Sequence, residues 1–186
     1  MKKILIIPTL LLTITSAVLS SGCENVSNTS KQKQEKVHLM DSSDEFLSLN
    51  VYFDATTDDN AVSVAKEELL INKEELIGEI LINQLIKGPS TEGKLKAVLP
   101  KETRLINLSI KDNIAIVNLS KEAAVPMTAS KEEACLRAIV TSLSQIESVN
   151  KVTILIDSKN AETLGGNYNI SKPFSLADIS ALKIQE

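Results

Sequence analysis

The chain has 186 residues, with 20 Lys and Arg against 24 Asp and Glu, a net charge of −4, and no Trp. This length fits one ordinary domain with residues to spare for targeting and tethering. An acidic chain poor in aromatic residues has neither the basic footprint nor the stacking platforms of nucleic-acid binding, and no nucleic-acid partner is expected.

Met1-Lys2-Lys3 and the apolar run from Ile4 to Leu19 have the layout of a signal peptide, assigned to residues 1–22. Leu19-Ser20-Ser21-Gly22-Cys23 resembles the lipobox of bacterial lipoproteins, with Ser20 where an aliphatic residue is usual. The resemblance implies that Cys23 is lipidated and that the mature chain is extracytoplasmic, held to the membrane by lipid. Residues 23–45 are polar and read as a flexible tether with a span of about 25 Å. His38, the sole histidine, falls in that tether, so the domain lacks the commonest general base and metal ligand. With Cys23 modified, Cys135 has no partner in the chain and is expected to be a buried core thiol rather than a nucleophile.

The folded domain is assigned to residues 46–178, with 179–186 as a C-terminal tail, and Ser175 to Glu186 holds at most a short final helix. Leu47, Leu49, Val51 and Phe53 alternate with polar positions, the pattern of a half-buried strand. Asp54, Asp58, Asp59 and Asn60 follow as a solvated acidic turn, without the regular spacing or closing Glu of a calcium loop. Val62 to Ile71 is read as a returning strand, although Lys66-Glu67-Glu68 could equally begin a helix. Asn72 and Glu75 then stand at capping-box spacing and open a helix that Gly88-Pro89 closes. On that helix Leu76, Ile77, Ile80, Leu81 and Leu85 form the expected core arc. Ile82 and Ile86 form a second stripe, expected to pack helix against helix inside the domain, with a partner surface as the alternative.

Leu99-Pro100 leads into two strands, Thr103 to Lys111 and Ile114 to Leu119. Both Asp112 and Asn113 tolerate the positive φ of a two-residue hairpin turn. That turn pairs Ile110 with Ala115, Leu108 with Val117 and Ile106 with Leu119, all on one face, which makes this hairpin the floor of the core. Ser130 and Glu133 repeat the capping-box spacing and predict a second helix from about 131 to 147, with Cys135, Leu136, Ile139, Val140, Leu143 and Ile146 on one stripe. Val149 to Asp157 reads as a central strand. Gly165-Gly166 reads as a flexible turn, since it lacks the flanking residues of a phosphate loop.

In order and spacing these segments resemble the GerM-type sporulation and spore germination domain, often called GerMN. The matching stretches are Gln84 to Ser90, Leu99-Pro100, Ile114 to Ser120, Ile139 to Leu143, Val149 to Asp157 and Glu162 to Gly166. The match covers about Leu47 to Leu176, in one copy, with Ser158 where the family commonly has Gly. The resemblance implies an α+β fold, with two helices on one face of a small mixed sheet of about four or five strands, similar to ring-building modules of envelope machines. It supplies no catalytic residue and no cofactor.

The expected function is that of a non-enzymatic, membrane-anchored envelope lipoprotein. Its domain would dock on an envelope protein or on itself, in sporulation or germination. A module binding a small ligand or cell-wall fragment, walled by the Asp54 to Asn60 and Leu164 to Tyr168 loops, is the alternative. A hydrolase built on converging carboxylates such as Asp54 and Asp157 is the weakest reading.

Overall fold

The computed structural model describes residues 45–58, 61–91 and 93–185. The expected signal peptide, Cys23, His38 and all of the tether but Glu45 lie outside them, as do Asp59 and Asn60. No helix among the described residues is long and apolar enough to cross a membrane.

Two sheets and two helices make an α+β fold. β1 (Phe46–Asp54) and β2 (Val64–Asn72) pair antiparallel with each other and with nothing else. The second sheet is mixed, in the order β3 (Leu105–Lys111), β4 (Ile114–Leu119), β5 (Lys151–Ile156) and β6 (Lys159–Asn160). β4 and β5 run parallel, joined by the crossover that contains α2 (Ala129–Leu143). Helix α1 (Lys73–Lys87) packs on β3 and against α2.

The β3–β4 turn forms because Asp112 and Asn113 accept φ of 51° and 61°. The turn fixes the pairs Ile110–Ala115 and Leu108–Val117, as the alternation requires. A bulge then intervenes: Leu105, not Ile106, faces Leu119, and Ile106 is exposed. The extra residue breaks the period-two count, which pattern alone could not detect. Ala115, Val117 and Leu119 on β4 and Val152 and Ile154 on β5 are all buried on the helix-facing side. Leu136, Ile139, Leu143 and Phe174 complete this core. Each fully buried large aliphatic contributes about 1.5–3 kcal/mol, so this face carries most of the domain's stability.

Asp157 and Ser158 make a second tight turn, into β6, with φ of 46° and 64°. The buried Asn118 side chain holds this left-handed Ser158. Its Oδ1 accepts the Ser158 N–H at 2.9 Å, and its Nδ2 donates to the Ser158 hydroxyl at 3.0 Å. These bonds offset the cost that a glycine would avoid at that position.

The described residues after 178 pack on the domain. Ile179–Leu182 form a 3-10 turn with Ile179 fully buried, and Tyr168 bridges to Lys183.

Candidate interaction surface

The β1–β2 hairpin is where the molecule departs from an ordinary closed core. One of its faces carries Leu47, Leu49, Val51 and Phe53 opposite Ile71, Leu69, Glu67 and Ala65. At the base, Leu47, Leu49 and Ile71 are half-buried; Leu69, opposite Leu49, is exposed, as are Val51 and Phe53 toward the tip. Phe46, Tyr52 and Leu70 are exposed on the opposite face. Three of the chain's five Phe and Tyr residues thus stand in solvent on a single strand. An exposed cluster of this kind marks an interaction site rather than random surface.

The hairpin tip is organised but acidic. Asp54 Oδ1 accepts the Thr56 N–H at 2.9 Å, and hydrogen bonding to Thr56 holds its carboxyl below the usual aspartate range. Glu68 accepts the Ser48 hydroxyl. Asp54, Glu67 and Glu68 outnumber Lys66. This charge disfavours an anionic bilayer surface and favours a protein as the occupant.

Both apolar stripes of α1 reach the core, since Leu81 and Leu85 of the first pack partly buried against it beside the second. Ile82 is 0% exposed and Ile86 packs partly buried against the core, so neither is a free partner surface. Ile77 and Ile80, expected inside, are 49% and 60% exposed. The reason is Gly78: a Cβ there would lie 2.8 Å from Leu108 Cδ2. Lacking that carbon, the helix lies close on β3 along its Gly78–Ile82 line, which turns Ile77 and Ile80 outward.

The caps are also more specific than sequence spacing implies. Asn72 Oδ1 accepts the N–H of Glu74 at 2.9 Å and of Glu75 at 3.1 Å. Glu75 does not reach back to complete a box; its carboxylate accepts the Ile110 N–H of β3 at 2.9 Å. Gly88 closes α1 with φ of 85°, and its N–H donates to the Gln84 carbonyl. Pro89 follows outside the helix, and the Pro100 carbonyl accepts the Thr103 N–H in the turn before β3.

In α2 the N-cap is Thr128, two residues before Ser130, with Oγ1 accepting the Lys131 N–H at 3.3 Å. Glu133 is turned to tertiary work. It pairs with Arg137 at 2.8 Å and accepts the Tyr168 hydroxyl at 2.9 Å. These bonds, Arg137 first and Tyr168 second, hold its carboxyl below the ordinary glutamate range.

Glu132, which spacing rules pass over, is 0% exposed. Its carboxylate accepts the backbone N–H groups of Leu164, Gly165 and Asn167 at 3.0, 2.8 and 2.7 Å, and the Asn167 side-chain amide at 2.8 Å. One helix carboxylate therefore shapes the Gly165-Gly166 loop. The clue in the sequence is a Glu lying four residues before Leu136 and seven before Ile139, on the apolar stripe. Cys135, one helical turn away, is buried and free, and burial with the nearby Glu132 charge pushes its thiol up to about 12. At that value the thiolate is scarce and the sulfur acts as core.

Asp54 sits on the hairpin, and the Gly166-Asn167 turn borders a shallow groove of about 630 Å³ with Ala129, Ser180, Ala181, Lys183, Ile184 and Gln185. Asp54 ends β1, whereas Asp157 stands in the turn between β5 and β6, where its Oδ1 accepts the Lys121 N–H at 3.2 Å.

Comparison with known proteins agrees with this architecture. The Germane family, described as sporulation and spore germination, matches residues 50–162. The crystal structure of a candidate lipoprotein from Clostridium perfringens is 47% identical, covering 76% of this chain and 95% of that one, with a TM-score of 0.70. The tandem GerMN domains of the sporulation protein GerM from Bacillus subtilis are 20% identical over 76% of this chain and 49% of theirs, with a TM-score of 0.43. The first of those domains alone is 23% identical over 67% of this chain and 94% of its own, also with a TM-score of 0.43. No curated protein gives a significant match. Because the family match spans more than half of the residues, the chain belongs to the Germane family of sporulation and spore germination domains.

Proposed function

We propose that this protein is a non-enzymatic, membrane-tethered module of the cell envelope that docks on a protein partner during spore formation or germination. The carrying observation is the β1–β2 hairpin, with Val51, Tyr52, Phe53, Leu69 and Leu70 all exposed. A two-stranded hairpin is marginal in water, and apolar side chains on both of its faces gain most when a partner covers them. The family assignment supports the developmental setting, and the lipoprotein-like N-terminus, together with the candidate lipoprotein relative, supports the tether. The test replaces Tyr52 and Phe53 together with Ser in the full chain. Crosslinking to envelope neighbours and sporulation or germination efficiency should both fall while the protein level holds. Unchanged neighbours and unchanged spore yield refute the reading.

A further inference from the structure

We infer that the occupant of β1 is β1 of a second copy, paired antiparallel about a twofold axis at Asn50 to make one four-stranded sheet from two hairpins. The inference rests on the docking role proposed above and names its partner.

The strand edges of the molecule are treated differently. β3 carries the bulge at Ile106, and Glu75 occupies its Ile110 N–H. β6 is two residues long. β2 bears Lys66, Glu67 and Glu68. These are the usual devices against unwanted strand pairing. β1 holds no Pro and no bulge, and its one charge, Asp54, is its last residue.

Its outer edge also points the right groups outward. The bonds from Ala55 N–H to the Ser63 carbonyl and from Lys73 N–H to the Glu45 carbonyl mark the hydrogen-bonded rungs at both ends of the hairpin. By alternation, the backbone groups of Phe46, Ser48, Asn50, Tyr52 and Asp54 face away from β2. A twofold centred on Asn50 sets Phe46 against Asp54, Ser48 against Tyr52 and Asn50 against itself. This register forms about ten backbone hydrogen bonds, the number found in a standard stable interface.

On the apolar face, Leu47 meets Phe53 and Leu49 meets Val51 across the new seam. Glu67 and Glu68 lie on the outer strands, three strand spacings or about 14 Å from their symmetry mates, beyond the Debye length of about 8 Å. A twofold through the middle of β2 instead sets Glu68 against Glu68. Joining two copies also raises each hairpin from two strands to four, past the three required for a sheet that stands alone.

The test uses the full chain in membranes, with single cysteines at Asn50→Cys or Glu68→Cys and an oxidant. Residues facing each other across a hydrogen-bonded rung have Cα atoms about 5.5 Å apart, within disulfide reach. Asn50→Cys should give a disulfide-linked dimer at least tenfold more abundant than Glu68→Cys gives. Two differently tagged copies, one Ser48→Cys and the other Tyr52→Cys, check the register independently and should link to each other more than either links to itself. Equal linking at positions 50 and 68, or linking at 50 only to a different protein, overturns self-pairing while the docking role stands. Dimers that form while Asn50→Lys abolishes them without changing spore yield overturn the docking role in sporulation and leave self-pairing standing.

Discussion

The β1–β2 and β3–β4 hairpins are written in the same alternating code and meet opposite fates. In β3–β4 the apolar face lies beneath two helices, and Leu108, Ala115 and Val117 are buried. In β1–β2 the corresponding face runs out past α1, and Val51, Phe53 and Leu69 stay exposed. Alternation therefore specifies that a strand has two unlike faces; it does not specify that the same chain covers one of them. What distinguishes the two hairpins is the element that follows. β4 leads into a crossover whose helix returns over the sheet, whereas β2 leads into a helix that packs on β3.

The contrast predicts large losses in the body and small ones in the hairpin. Glu132→Ala strands the N–H groups of Leu164, Gly165 and Asn167. It should cost about 4 kcal/mol, read as a lower urea midpoint, because each buried donor left without its charged acceptor carries a penalty of about 1–3 kcal/mol. Ile82→Ala should cost about 3 kcal/mol by leaving a cavity, whereas Ile80→Ala should stay within about 0.5 kcal/mol. Equal costs at the two positions break the assignment of inner and outer helix faces. Gly78→Val forces branched carbons against Leu108 and should cost about 2 kcal/mol in the same unfolding measurement.

The acid limb gives a subtler contrast. The folded-state pKa of Glu133 is lowered, by Arg137 first and Tyr168 second. Its contribution to stability is therefore present above the unfolded glutamate pKa of about 4.3 and is lost as pH falls through the lowered folded value. The melting temperature of Glu133→Gln should accordingly fall less steeply than the parent's below that pH. The smallest effect belongs to the hairpin: Phe53→Ser should shift the urea midpoint of the body by no more than about 0.5 kcal/mol. A larger loss shows that the hairpin is clamped to the core.

Much of the body was legible in the residues. Asp112-Asn113 specifies a turn by its tolerance of positive φ, and that turn sets the register through Leu108. Asn72 and Gly88 mark the ends of α1 through their own backbone chemistry. What was not legible depended on contacts distant in sequence. Glu75 and Glu133 stand at box spacing, yet a β3 amide captures the first, and Arg137 with Tyr168 captures the second. Hydrophobicity alone does not set the outward Ile77 and Ile80 apart from the inner positions of α1, because the absence of a side chain at Gly78 decides which line of the helix lies against β3. Glu132 was hidden for the opposite reason, being a charge on a stripe where only apolar residues are sought.

One residue joins the two regions. Asn72 is both the last residue of β2 and the N-cap of α1, so no loop separates the protruding strands from the helix. Just beyond it, Glu74 accepts the Ser148 hydroxyl in the turn between α2 and β5, and Glu75 grips β3. A flexible linker would absorb a pull on the hairpin tip as slack. Here the hairpin is a lever with its fulcrum at Asn72, and force applied to it loads the two carboxylates that pin α1 to the body.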